Sequence, residues 1–189
     1  SSNVSCFGGS NGSGTVTAGG GTSAYSYSWN NNQTSSTASG LIAGTYTVIV
    51  TDNNGCTVNT IATITQPAVL TASISASTNV SCNGGNNGSA TVTAGGGTPV
   101  YSYVWNNGQT NTTASTLVAN TYSVTVTDNN SCTAVVSITI TEPSLLTTTV
   151  SITDANCSQN DGSASLSASG GVSAYSYLWN NGQTSSTAT

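Results

Sequence analysis

Apolar and hydroxyl-bearing residues take turns along most of this chain. Ala90, Val92 and Ala94 alternate with Thr91 and Thr93, and Tyr122, Val124 and Val126 alternate with Ser123, Thr125 and Thr127. A period of two sends one set to each face of an extended segment, the pattern of an antiparallel strand with one buried face. No stretch shows the 3.6-residue period of an amphipathic helix of useful length. In the most complete stretch the pattern predicts strands over 70–75, 89–94, 100–105, 109–115, 121–128 and 133–141, bounded by Gly and Asn. Short strands with a turn signal about every ten residues point to a small β-sandwich.

The pattern is also repeated. Cys6 recurs as Cys82, Trp29 as Trp105 and Cys56 as Cys132, each 76 residues on, and Cys157 and Trp179 belong to a third copy. Pro67 and Pro143 mark the boundaries, giving modules at 1–66, 67–142 and 143–189. Leu70, Ala72 and Ile74 alternate as a first strand of the second module would. The first module has no counterpart of that strand, and the third stops before a counterpart of "TYSVTVTD". The expectation is a window on a longer repetitive protein.

One phrase appears three times: "AYSYSWNNNQT", "VYSYVWNNGQT" and "AYSYLWNNGQT". It places Tyr25, Tyr27 and Trp29, then Tyr101, Tyr103 and Trp105, then Tyr175, Tyr177 and Trp179, on one face of a strand. Such a face is either a platform for a sugar or a core. A chain with little other large apolar surface needs it as core, since each buried aromatic removes about 150–250 Å² from water. Tyr46 and Tyr122 join that set. Gly44-Thr45-Tyr46 resembles the tyrosine corner of immunoglobulin-like domains, whose hydroxyl ties a loop to the sandwich. Asn107-Gly108 after the Trp strand reads as a two-residue type I′ hairpin with positive φ at both positions, and Asn31-Asn32 stands there in the first copy.

Cys6 and Cys56 lie 50 positions apart, as do Cys82 and Cys132. Equal spacing, once per module, predicts one disulfide inside each module, with the partner of Cys157 lying past Thr189. A closed loop of that length restricts the unfolded chain by about 4 kcal/mol. A metal site has neither CxxC pairs nor histidine to build on. The fold class expected is therefore all-β: tandem immunoglobulin-like sandwiches with one disulfide per module.

Composition narrows the chemistry. The 189 residues contain no Lys, Arg, His or Met, and the net charge is −5. Without His or Lys there is no ordinary general base near neutral pH, no Ser-His or Cys-His pair and no Schiff-base amine. Phosphate neutralisation needs cations the chain does not have, so nucleic acid is not an expected partner, nor is a polybasic membrane contact. No apolar run reaches the length of a membrane span. No enzyme activity, cofactor or metal is expected. Asp52 and Asp128, in "TDNNGC" and "TDNNSC", read as turn formers bonding their own backbone. The rival calcium reading wants several carboxylates, and each complete module offers essentially one. Glu142 lies beside a boundary proline, and Asp154 and Asp161 occur only in the third copy, where loop solvation is the stronger reading over a clustered site. Asn-x-Ser/Thr triplets at Asn3, Asn11, Asn32, Asn79, Asn87, Asn111 and Asn156 are no more frequent than chance in a chain where 66 residues are Ser or Thr. The lack of Lys and Arg denies trypsin-like proteases a cut site, and denies edge strands a lysine guard against lateral pairing.

The stretch "NVSCNGGNNGSATVTAGGGTPVYSYVWNNGQT…NTYSVTVTDNNSCTAVVSITITEP" resembles a SprB repeat. It combines VSC-x-GG, the YSY-x-W strand, NGQT, TY-x-V-x-VTD and a second cysteine. The resemblance covers the second module entirely and the flanking modules as far as they extend. It implies a secreted cell-surface protein of Bacteroidetes, on the exterior of the outer membrane, exported by the type IX system. Its role would be the stalk or filament of a large adhesin, carried along the surface by a membrane motor in gliding cells. Partners implied are neighbouring modules of the same chain, surface polysaccharide, or other copies of the chain. Two other readings stand beside it, a carbohydrate-binding module and a subunit of a homopolymeric filament.

Overall fold

The computed structural model describes residues 1–189 as an all-β chain of fourteen strands without a helix. No helix is therefore long and apolar enough to cross a membrane. The residues gather into two compact units. One comprises Ser1–Ser73, Thr93–Val104 and Val124–Val136; the other comprises Ile74–Val92, Trp105–Ser123 and Ser137–Thr189.

The first unit contains the whole first repeat. β1 (Gly12–Thr15) pairs antiparallel with β3 (Thr37–Leu41), and a second sheet runs in the order β2 (Ser26–Trp29), β4 (Gly44–Thr51), β5 (Thr57–Ile64). Trp29 stands opposite Val48 and Tyr27 opposite Val50, so the aromatic and valine rows share one face. That face closes over a core of Val4, Trp29, Ala38, Leu41, Val48, Val50 and Ile64. The two sheets meet most closely at glycines. A Cβ at Gly12 would stand 2.6 Å from Ile64 Cγ2, and one at Gly14 would press on the Trp29 ring at 3.3 Å. The absence of a side chain at Gly14 on β1 leaves room for the Trp29 ring.

The second repeat supplies β6 (Ala68–Thr78), β7 (Gly88–Gly97), β8 (Ser102–Trp105), β9 (Thr113–Leu117), β10 (Asn120–Thr127) and β11 (Thr133–Ile140). Their sheets run β6-β7-β9 and β11-β10-β8. The third supplies β12 (Thr147–Thr153), β13 (Ser163–Ser169) and β14 (Thr187–Ala188) as one antiparallel sheet, with Val150 opposite Leu166 and Ile152 opposite Ala164. The alternation read from the sequence is present in the burial. Ala90, Val92, Tyr122, Val124 and Val126 are buried, while Ser123, Thr125 and Thr127 are only half-buried.

Two local expectations need correction. The strand expected over 109–115 forms later, as β9, because Gln109 and Asn111 are held in a loop by other bonds. The asparagine turn is also not a type I′ hairpin. Only its third residue is left-handed: Asn32 at φ +68°, Gly108 at +86° and Gly182 at +84°; Asn31 and Asn107 are not. Asn32 donates its N–H to Trp29 O and Trp29 donates to Gln33 O, both at 2.9 Å. The turn then delivers the chain to the other sheet, since β2 and β3 belong to different sheets. A single left-handed position explains why Asn replaces Gly in the first copy, as Asn is among the residues that best tolerate that region.

Candidate functional site

The aromatic strand presents no open ligand face in the first two repeats. Trp29 and Trp105 are 3% and 1% exposed, which leaves neither indole face open for stacking. Each indole N–H is used as well: Trp29 donates to Ser35 O at 2.8 Å, and Trp105 to Asn111 O at 2.9 Å. Trp179 makes the matching bond to Ser185 O and is half-buried. The tyrosines of the strand are half-buried in every copy, namely Tyr25, Tyr27, Tyr101, Tyr103, Tyr175 and Tyr177. The outermost of each set ties down the preceding glycine loop: Tyr25 donates to Gly20 O, Tyr101 to Gly96 O and Tyr175 to Gly170 O. Tyr46 and Tyr122 donate to the carbonyls four residues back, Ile42 at 3.1 Å and Val118 at 3.2 Å. Those are tyrosine-corner bonds.

The acids serve loops in the same way. Asp52 accepts the N–H groups of Thr22, Asn54 and Cys56 at 2.9–3.0 Å. Asp128 accepts those of Thr98, Asn130 and Cys132 at 2.8–2.9 Å. The amide of Thr22, then those of Cys56 and Asn54, hold the Asp52 carboxyl below its ordinary value of 3.8 despite some desolvation. At Asp128 removal from water pushes the other way, and the three amides outweigh it, so its pKa is also lowered. Asp161 is lowered chiefly by the backbone and side-chain N–H groups of Asn156. Glu142 accepts from Gly84 N–H at 2.7 Å and Asn83 Nδ2 at 3.1 Å, and Gln66 accepts from Gly8 N–H in the first repeat. No three of Cys, Asp and Glu come together in a group able to hold a metal.

The cysteines overturn the in-module pairing. Cys6 is bonded to Cys132, with a Cα–Cα distance of 5.8 Å, and Cys56, Cys82 and Cys157 are free and exposed. The reason is strand length. Cys56 precedes the first residue of β5, whereas Val4 N–H bonds Thr65 O and Gly8 N–H bonds Gln66, beyond its last. Eight residues of strand, about 26 Å at ~3.3 Å each, part Cys6 from Cys56, and a disulfide needs Cα atoms within about 7 Å. In the second repeat Val80 N–H likewise bonds Thr141 O, past the far end of the strand that Cys132 precedes. The bond that does form joins the first cysteine of one repeat to the second cysteine of the next. Beside it, Asn130 Nδ2 donates to Ser5 O and to Thr98 Oγ1, both at 2.9 Å. Its counterpart Asn54 donates to Thr22 Oγ1 at 3.0 Å.

A further recurrent tie was not anticipated. The glutamine of NNQT in the first copy and NGQT in the other two lies four residues after each tryptophan and clips the backbone six residues ahead of itself. Gln33 Nε2 donates to Ser39 O and Gln33 Oε1 accepts Ser39 N–H, at 2.8 and 2.9 Å. Gln109 grips Ser115 and Gln183 grips Thr189 in the same bidentate way. Its recurrence in all three copies was the available signal.

The SprB repeat family model matches residues 1–34, 74–110 and 149–184, more than half of the chain. Among solved structures, the three N-terminal domains of the Highly Immunogenic Outer Capsid protein (Hoc) of bacteriophage RB49 are 19% identical over 86% of this chain, with a TM-score of 0.47. A Down Syndrome Cell Adhesion Molecule (DSCAM) isoform, in its N-terminal eight Ig domains, is 13% identical over 86% of this chain at 0.35, and a Dscam isoform is 16% identical over 63% at 0.32. This chain spans 64%, 28% and 38% of those three chains respectively. None of the curated proteins compared matches it.

Proposed function

Because the chain belongs to the SprB repeat family, whose repeats are found in cell-surface proteins, we propose that it is a stalk segment of a secreted surface adhesin. It spaces an adhesive part away from the cell and carries tension. The observation that carries this reading is the covalent tie between consecutive repeats at Cys6–Cys132, reinforced by Asn130 on Ser5. A binding module needs a presented face, whereas here the side chains that recur between the copies are spent on tying loops to sheets. The tryptophans are buried, the tyrosine hydroxyls bind carbonyls, and the aspartates bind amides. Travel along the surface in gliding cells, and export through the type IX system to the outer-membrane exterior, belong to the same reading.

Immunogold labelling of intact cells, with antibody against residues 67–142, tests it. Gold along thin projections is the expected result. Label confined to the cell interior would sink the reading.

A further inference from the structure

Asparagine followed by glycine is the pair most open to loss of its side-chain amide. With no Cβ on the next residue, the following backbone nitrogen can reach the asparagine Cγ. Six such pairs occur: Asn11-Gly12, Asn54-Gly55, Asn83-Gly84, Asn87-Gly88, Asn107-Gly108 and Asn181-Gly182. They share a dipeptide but not an environment.

Asn11 and Asn87 are clamped at both ends of the carboxamide. Asn11 Oδ1 accepts Ser5 N–H at 3.0 Å, and its Nδ2 donates to Ser5 Oγ at 2.7 Å. Asn87 holds Ser81 in the same way, at 3.0 and 2.9 Å. Their glycines are buried, and a Cβ on Gly88 would stand 2.7 Å from Ile140 Cγ2. At Asn54 and Asn83 the nitrogen that would have to leave is bound. Asn54 Nδ2 donates to Thr22 Oγ1 at 3.0 Å, and Asn83 Nδ2 donates to Glu142 Oε1 and Pro143 O, both at 3.1 Å.

Asn107 and Asn181 are held the other way round. Each Oδ1 accepts an N–H, from Gln109 and Gln183, at 3.2 Å, and neither Nδ2 has a partner. A hydrogen bond to the oxygen draws electrons from the carbon to be attacked, and the free nitrogen can depart into water. Both turns are exposed, and a Cβ on Gly108 or Gly182 would meet nothing within 4 Å. Gly55 and Gly108 each give their N–H to the carbonyl three residues back, so that bond does not separate Asn54 from Asn107. The first repeat has the same turn, with Gln33 N–H on Asn31 Oδ1 at 3.3 Å, but there Asn32 follows and carries a side chain.

We propose that Asn107 and Asn181 are sites at which the chain modifies itself, by deamidation in the turn after the tryptophan. Gly108 N–H first leaves Trp105 O, a local opening of an exposed turn. The nitrogen then attacks Asn107 Cγ, the bond from Cγ to Nδ2 breaks, and the proton lost from Gly108 N ends on the departing ammonia. Water opens the succinimide ring at either carbonyl, giving aspartate or isoaspartate with no change of oxidation state. Each event adds one negative charge to a chain of net charge −5. Isoaspartate also inserts a carbon into the backbone two residues before Gln109, whose side chain holds Ser115. The second and third repeats thus change at this turn with age, and the first is spared. The inference does not depend on the stalk reading.

The test ages the full 189-residue chain in mildly alkaline buffer, once folded and once in urea. Aliquots are reduced, cleaved at aromatic residues and weighed for conversion of amide to acid. In the folded chain Asn107 and Asn181 are expected to convert roughly tenfold faster than the other four, a ratio that one or two net hydrogen bonds account for. In urea the six rates are expected to converge. Gly108→Asn reproduces the turn of the first repeat and keeps a residue that tolerates positive φ. It is expected to bring Asn107 down to the rate of Asn31 and to leave Asn181 unchanged. Equal rates for all six in the folded chain, or the same ranking in urea as in the fold, would overturn the proposal. So would Asn54 or Asn87 converting as fast as Asn107.

Discussion

Gln109 holds Ser115 by both ends of its side-chain amide, donating to the carbonyl at 2.9 Å and accepting the N–H at 3.0 Å. The side chain acts as a short piece of neighbouring strand, and it keeps the loop after Trp105 in the position from which Asn111 O receives the indole N–H. Two bonds at a net ~0.5–1.5 kcal/mol each make Gln109→Ala cost about 1–3 kcal/mol. Gln109→Glu, which removes the donor and keeps the acceptor, is expected to fall between. Urea denaturation of the three proteins measures this, and a Gln109→Ala protein with an unchanged midpoint would refute it.

Trp105 fills the middle of its repeat and is buried to 1% exposure. Trp105→Ala is expected to cost about 3–5 kcal/mol, in the range of large-to-small aromatic changes in cores. Trp105→Phe, which keeps most of the ring but leaves Asn111 O without its donor, is expected to lose less. Thermal unfolding followed by circular dichroism reads both. A ligand-platform role predicts the opposite, little loss of stability on truncation.

The disulfide has its own readout. Because the chain has no Lys or Arg, mapping has to use cleavage at aromatic or aliphatic residues instead of trypsin. The expected product after blocking free thiols is a peptide pair joining Cys6 to Cys132, with Cys56, Cys82 and Cys157 alkylated. A Cys6–Cys56 pair would contradict the structure. Cys6→Ser is expected to destabilise the folded chain, because a loop of 126 residues restrains the unfolded state by about 5 kcal/mol on the chain-entropy account.

Acid should loosen the loops at Asp52 and Asp128. Both carboxyls have pKa values lowered from 3.8 in the folded chain. A lowered folded value means the stabilisation is complete above the unfolded pKa and disappears as the pH falls through the folded one. Melting temperature is therefore expected to hold from neutral pH down to about 5 and to drop below 3.8. Asp128→Asn, which turns an N–H toward the Thr98 donor, is expected to melt lower than the parent at neutral pH. That gap should narrow once the parent is protonated, and a gap constant down to pH 2 would refute the role.

Much of the fold was legible because it rests on short-range rules. Alternation at Val124 and Val126 fixed which side of β10 is buried, and Tyr46 and Tyr122 announced their corner bonds by position in "GTY" and "NTY". The cysteine pairing was not legible. Equal spacing reports the length of the loop that a bond would close, and says nothing about which end of a strand each cysteine occupies. Cys56 and Cys6 lie at opposite ends of β5, which only the register of Val4 with Thr65 reveals. The turn was misjudged for a related reason: "NNGQ" is compatible with several turns, and the choice depends on whether the next strand rejoins the same sheet. The glutamine clip was visible as a repeated letter, but its partners lie six residues on, beyond any local turn rule.

The bond between Cys6 and Cys132 also changes what a break in the chain means. It closes residues 6–132 into a ring, so pull has two covalent routes through this region, one along the backbone and one across the sulfurs. A single peptide-bond cut between those cysteines opens the ring without parting its ends. A chain closed in this way can be nicked inside the ring and still hold together.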